Sequence, residues 1–98
     1  MKPIRYSAAV PDHEVTVAGS RFFLDFAFPE VKLGIECQSV RWHLGDEALR
    51  RDSARMRKLS LAAWMILPYC WDEVVFDPAG VRREIEDALR LRSATLFS

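Results

Sequence analysis

The chain has 98 residues, half of them hydrophobic, and its 14 Lys and Arg balance its 14 Asp and Glu. That describes a single domain, 1–98, with enough apolar content for a real core; four Gly and five Pro are too few for a disordered or fibrous chain. Zero formal charge argues against a protein that coats nucleic acid nonspecifically, while leaving room for a local basic patch that holds a phosphate backbone.

The N-terminus, MKPIRYSAAV, has no continuous apolar segment of the secretory kind. The longest uncharged run, 59–71, contains Pro68 and falls short of the about 20 residues a membrane span needs. The expectation is a cytoplasmic chain without a membrane partner. Cys37 and Cys70 form neither a CxxC pair nor a zinc-ligand spacing, and both sit in apolar stretches, so they are read as buried free thiols.

In chain order, 14–18, 21–28 and 32–38 are rich in β-branched and aromatic residues and read as a three-stranded meander. From Asp46 the period turns helical, with Leu49, Ser53, Met56, Leu59 or Ser60, and Ala63 on one stripe. Residues 65–71 suit a buried strand that Pro68 confines to an edge or a bulge. Asp77-Pro78 is an N-cap followed by proline at the first helical position, and Val81, Ile85, Ala88 and Leu89 continue a helix to about Leu91. The order β-β-β-α-β-α requires a right-handed parallel crossover between the third and fourth strands. The predicted class is α/β, a mixed sheet flanked by helices.

Alternation in 21–28 sets Phe22, Leu24, Phe26 and Phe28 on one face and Arg21, Phe23, Asp25 and Ala27 on the other. In 32–38 the apolar face carries Leu33, Ile35 and Cys37, and the polar face Lys32, Glu36 and Gln38 around Gly34. The two apolar faces coincide with a two-residue loop at 30–31 or a four-residue loop at 29–32, and both set Asp25 opposite Glu36. Two carboxylates at that spacing repel unless something intervenes. A divalent cation with oxygen ligands, Mg²⁺ or Mn²⁺, is one solution. Neutralisation by Lys32, Arg21 or Arg5 is the other.

At Asp25, Glu36 and Gln38 the sequence resembles the PD-(D/E)xK nuclease superfamily: D, ten residues, then E-x-Q on adjoining strands followed by a helix. RFFLDFAFPEVKLGIECQSVRWH and RRDSARMRKLSLAAWMILPYCWDEV are more specifically similar to an uncharacterised bacterial domain family related to very short patch repair endonucleases. The resemblance covers 21 to about 90 and implies a restriction-endonuclease-like fold. It implies metal ligation by Asp25, Glu36 and the backbone carbonyl of Cys37. Gln38 takes the third motif position, where relatives carry Asp or Lys, and a neutral amide brings no charge to an attacking water. Ala62-Ala63 stands where the family has Gly before Trp64.

The resemblance makes His43 a candidate general acid or base; it reads equally as a polar loop residue. Asp52 would orient His43 or a metal-bound water, or else form an intrahelical pair with Arg55. Relatives begin with a helix absent here, so the chain is read either as a shortened domain or as one whose sheet is covered by a partner or a second copy. Residues 41–58 carry six basic and three acidic side chains, and 72–88 six acidic and two basic. Arg41, Arg50, Arg51 and Arg55 are therefore candidate phosphate contacts, and Trp42 a candidate base-stacking residue, whereas Trp64 and Trp71 read as core. The implied function is a Mg²⁺- or Mn²⁺-dependent endonuclease-like domain hydrolysing DNA phosphodiester bonds. The alternatives are a degenerate nuclease fold serving as a nucleic-acid-binding or protein-interaction module, and a structural domain stapled by a cation.

Overall fold

The computed structural model describes residues 9–38 and 45–97, and of Gln38 and Phe97 the backbone alone. The first hairpin joins β1 (Val10–Val17) to β2 (Ser20–Phe28) through Ala18 and Gly19, with φ of 49° and 83°. Positive φ at both turn residues gives a two-residue connection whose twist matches the strands. β1 begins at Val10, earlier than the predicted 14, and Pro11 is tolerated because β1 is an edge strand.

β2 reaches β3 (Leu33–Gln38) through four residues: a single 3₁₀ turn, Pro29–Val31, and Lys32 at φ 51°, whose N–H donates to the Pro29 carbonyl at 3.2 Å. This is the longer of the two loops that parity allows. The strands pair Phe26 with Ile35, Ala27 with Gly34 and Phe28 with Leu33, the register expected from burial. α1 (Asp46–Leu61) then carries the chain to β4 (Met65–Cys70), which pairs parallel to β3. Among the described residues the sheet order is β1-β2-β3-β4, so Pro68 sits on an edge strand as predicted.

A short helix that the sequence did not announce, α2 (Trp71–Phe76), follows β4 directly. Its cap is reciprocal: the Cys70 side chain receives the Glu73 N–H, and the Cys70 N–H donates to Glu73 Oε1 at 3.0 Å. α3 (Pro78–Phe97) starts on the Asp77 cap, with the Gly80 N–H donating to Asp77 Oδ1 at 3.1 Å, and runs past the predicted end at Leu91.

Both faces of the sheet are covered. On one, Leu33, Ile35 and Tyr69 pack with Val31 against Ala88 and Leu89 of α3, with Phe28, Met65, Leu67, Val74, Val81 and Ile85 around them. On the other, Val15, Leu24 and Ala27 pack against Leu59 of α1, flanked by Phe22, Val17, Trp64 and Ile66. Gly34 permits this second layer: a Cβ there would lie 2.7 Å from Ile66 Cδ1 and 2.8 Å from Leu24 Cδ1.

The expected single apolar face on β2 is corrected. Phe22 and Leu24 join the α1 layer together with Ala27, three residues on, while Phe28 joins the α3 layer and Phe26 is exposed. The strand changes phase at Asp25–Phe26. Opposite, Asp12 has φ 47° and drops out of the β1–β2 ladder, which keeps its register on either side. Other expectations also fail: Leu49, Trp71 and Cys70 are exposed and Cys37 is only half-buried. Each lies toward an element end, where periodicity extrapolates past the packed stretch.

The end of the sheet where β3 and β4 begin is tied together. Arg92 donates from Nε to the Val31 carbonyl at 2.9 Å and from Nη2 to the Ala63 carbonyl at 2.6 Å. Lys32 Nζ donates to the Ala62 carbonyl at 3.2 Å, and the Met65 N–H to the Lys32 carbonyl at 2.9 Å. No helix among the described residues is long and apolar enough to cross a membrane.

Candidate active site

The candidate site lies at the opposite end, where β3 finishes. Continuing the β2–β3 register by one pair sets Asp25 opposite Glu36, but the backbone ladder stops at Phe26 and Ile35. Beyond it β2 has changed phase, and the Asp25 side chain replaces the missing ladder partner: the Cys37 N–H donates to Asp25 Oδ2 at 2.8 Å. In an extended strand the N–H and C=O of one residue point to the same side. The Cys37 carbonyl therefore opens toward the same neighbour as Asp25. Burial first, and then the charge of Asp25, push the Cys37 thiol up from its ordinary value.

Glu36 belongs to the α1 face of β3, and α1 supplies its partner. Arg55 Nη2 donates to Glu36 Oε1 and to the Phe23 carbonyl at 3.1 Å. The Arg55 and Glu36 side chains are only 22% and 13% exposed, so either charge left alone would be poorly solvated. Burial pulls the Arg55 guanidinium below its ordinary value, and the charge of Asp25 pushes it back. Arg55 thus sits within the field of both carboxylates.

The residue that neutralises one carboxylate of the pair, Glu36, was not among those expected to do so. Arg21 is engaged with Glu14 at 2.5 Å and Lys32 with the Ala62 carbonyl, while Arg5 lies outside the described residues. The signal was present: Arg55 precedes the buried Leu59 by four residues and so shares its inward side of α1. The intrahelical alternative for Asp52 fails for the same reason. Among the described residues no ion pair joins Asp52 to Arg55, and Asp52 is exposed.

Arg50 and Arg51 are exposed on α1, available to a polyanion. The backbone of Gln38 continues β3 and pairs with Cys70. Arg41, Trp42 and His43 lie outside the described residues. The structure therefore brings Asp25, Glu36, the Cys37 backbone and Arg55 together. Among the described residues, no group of three or more His, Cys, Asp or Glu side chains is arranged to hold a metal ion.

No family model matches the chain. Two uncharacterised proteins of Mycobacterium tuberculosis, MT2308 (strain CDC 1551 / Oshkosh) and Rv2248 (strain ATCC 25618 / H37Rv), are each 34% identical to it over 67 residues, 68% of this chain. The chain spans about a quarter of the length of these relatives, 25% of each. In three dimensions it is similar to the catalytic domain of the homing endonuclease I-Bth0305I, with a TM-score of 0.56 and 19% identity, over 93% of this chain and 83% of that one. The four-stranded mixed sheet flanked by helices is accordingly a nuclease-like fold.

Proposed function

We propose that this chain is a single metal-dependent endonuclease-like domain of the PD-(D/E)xK type, related to the very short patch repair endonucleases, and that it hydrolyses DNA phosphodiester bonds. The observation that carries the reading is that Asp25 accepts the Cys37 N–H while the adjoining Glu36 binds Arg55, which lies in the field of Asp25, under a helix with exposed arginines. A homing endonuclease catalytic domain on a similar fold supports it.

The donor set fits a hard cation: two carboxylates and a backbone carbonyl are oxygen ligands of the kind that Mg²⁺ and Mn²⁺ take. When bound, such an ion polarises a phosphodiester and lowers the pKa of a coordinated water. Asp25 and Glu36 hold it, with the Cys37 carbonyl. Gln38 orients by hydrogen bonding alone, since it has no charge to give. His43 is assigned the proton transfer and Asp52 its orientation. Arg50 and Arg51, with Arg41 and Trp42, hold the DNA backbone and a base.

The test is nicking of supercoiled plasmid in Mg²⁺ or Mn²⁺, beside Asp25→Asn at equal concentration. Cleavage by the wild type alone is the expected result. A second reading, a degenerate nuclease fold that binds without cutting, is favoured by the arginine already paired with Glu36. DNA binding that survives EDTA, with no cleavage in either metal by folded protein, decides for it.

A further inference from the structure

Arg55 has no role in the chemistry proposed above, yet its side chain is tied to two groups beside the site. One guanidinium donates to Glu36 and to the Phe23 carbonyl, within the field of Asp25, and both partners of the ion pair are largely withdrawn from water. One arginine against two carboxylates leaves a negative charge uncompensated. A divalent cation leaves none, but Glu36 then has to give up Arg55, and a guanidinium stranded at a half-buried position is unfavourable. The same holds in reverse for a phosphate that draws Arg55 away and strands Glu36. Arriving together, the two ligands strand nothing: the cation takes the carboxylates and a phosphate takes the arginine. Arg50 and Arg51, exposed on the same helix, set the path on which a phosphate chain would approach.

From this geometry we infer that Arg55 is an exchangeable counter-ion that closes the carboxylate pair in the free protein, so that a divalent cation and a DNA backbone bind with positive coupling. The inference rests on the nuclease reading for the cation site. It adds that the site is held shut by the protein's own arginine until a polyanion is present. Coupling of this kind is reciprocal, and each ligand tightens the other by the same factor.

The experiment is Mn²⁺ binding, read as loss of the free-ion spin-resonance signal, with and without a short duplex whose own Mn²⁺ uptake is subtracted. Wild-type protein is expected to bind Mn²⁺ about tenfold more tightly in the presence of the duplex. Arg55→Met removes the competitor, so its Mn²⁺ affinity without DNA rises and the dependence on DNA disappears, whereas Arg55→Lys keeps the coupling. Equal Mn²⁺ affinity with and without duplex in the wild type overturns the inference while leaving the cation site, and the nuclease reading, in place. A fall in Mn²⁺ affinity in a folded Arg55→Met protein overturns it too, by showing that the arginine helps to hold the ion. Absence of Mn²⁺ binding in every arm overturns both. The comparison within the wild type can overturn the inference even if Arg55→Met does not fold.

Discussion

Ala63 has φ 67°, a left-handed conformation that opposes a β-carbon. It ends α1: the Ala63 N–H donates to the Ser60 carbonyl at 3.0 Å and the Trp64 N–H to the Leu59 carbonyl at 2.9 Å, a closing pattern that favours glycine. The resemblance to a family with glycine before Trp64 and the observed backbone point to the same position. Ala63→Gly is expected to stabilise the protein by about 1 kcal/mol, seen as a higher urea midpoint at unchanged slope. Residue-level legibility was uneven for a physical reason. The β2–β3 register was legible from parity as far as Phe26 and Ile35, but the next pair, Asp25 with Glu36, lies beyond the ladder because β2 changes phase there. Arg55 was read as a phosphate contact, and its pairing with Glu36 was not foreseen, because charge alone does not tell which side of a helix an arginine leaves from.

At the scale of elements, most boundaries followed from punctuation: Gly19, Pro29, Gly45 and Asp77-Pro78 each stand at an observed junction. α2 was missed because its cap is Cys70, not one of the usual oxygen-bearing residues, and because Trp71 extended the apparent apolar strand. The phase change in β2 was missed because phenylalanines on both sides of Asp25 imitate an unbroken alternation.

Tyr69 of β4 is buried against α3, in the field of the Glu84 carboxylate. Burial first, then the charge and hydrogen bond of Glu84 and the charge of Glu73, push the phenol above its ordinary value of about 10. Above that pH the unfolded chain has lost a proton that the folded chain retains, so stability falls as pH rises; below it the contribution is complete. Urea midpoints measured from about pH 8 to 11 should decline more steeply for the wild type than for Tyr69→Phe.

At the scale of the whole molecule, the net-neutral chain is polar in its layout. The segment 41–58, which includes α1, is basic, and the segment 72–88, which includes α2 and the first half of α3, is acidic. Because these helices cover opposite faces of the sheet, a nucleic acid attracted to one is repelled by the other. Replacing Arg50 and Arg51 by Ala should flatten the dependence of log affinity on log salt by about 0.9 for each phosphate that is no longer neutralised. The same replacement at Arg82 and Arg83 should leave the slope unchanged. Fluorescence anisotropy over a salt series separates the two outcomes. The mixed sheet and its parallel crossover were legible in the sequence because a helix separates the third and fourth strands. Which helix covers which face depended on the phase change in β2 and was not.

The parallel pairing of β3 with β4 also sets an order of assembly. The contacts of Asp25 with Cys37 belong to a hairpin, which closes in microseconds, whereas the crossover must span residues 39–64 before β4 has anything to pair with. Arg55 travels in that crossover. The hairpin contact of Asp25 is therefore local in sequence, whereas the pairing of Glu36 with Arg55 waits on the crossover, and a reversibly bound cation reaches the same final occupancy whether it is added before or after folding.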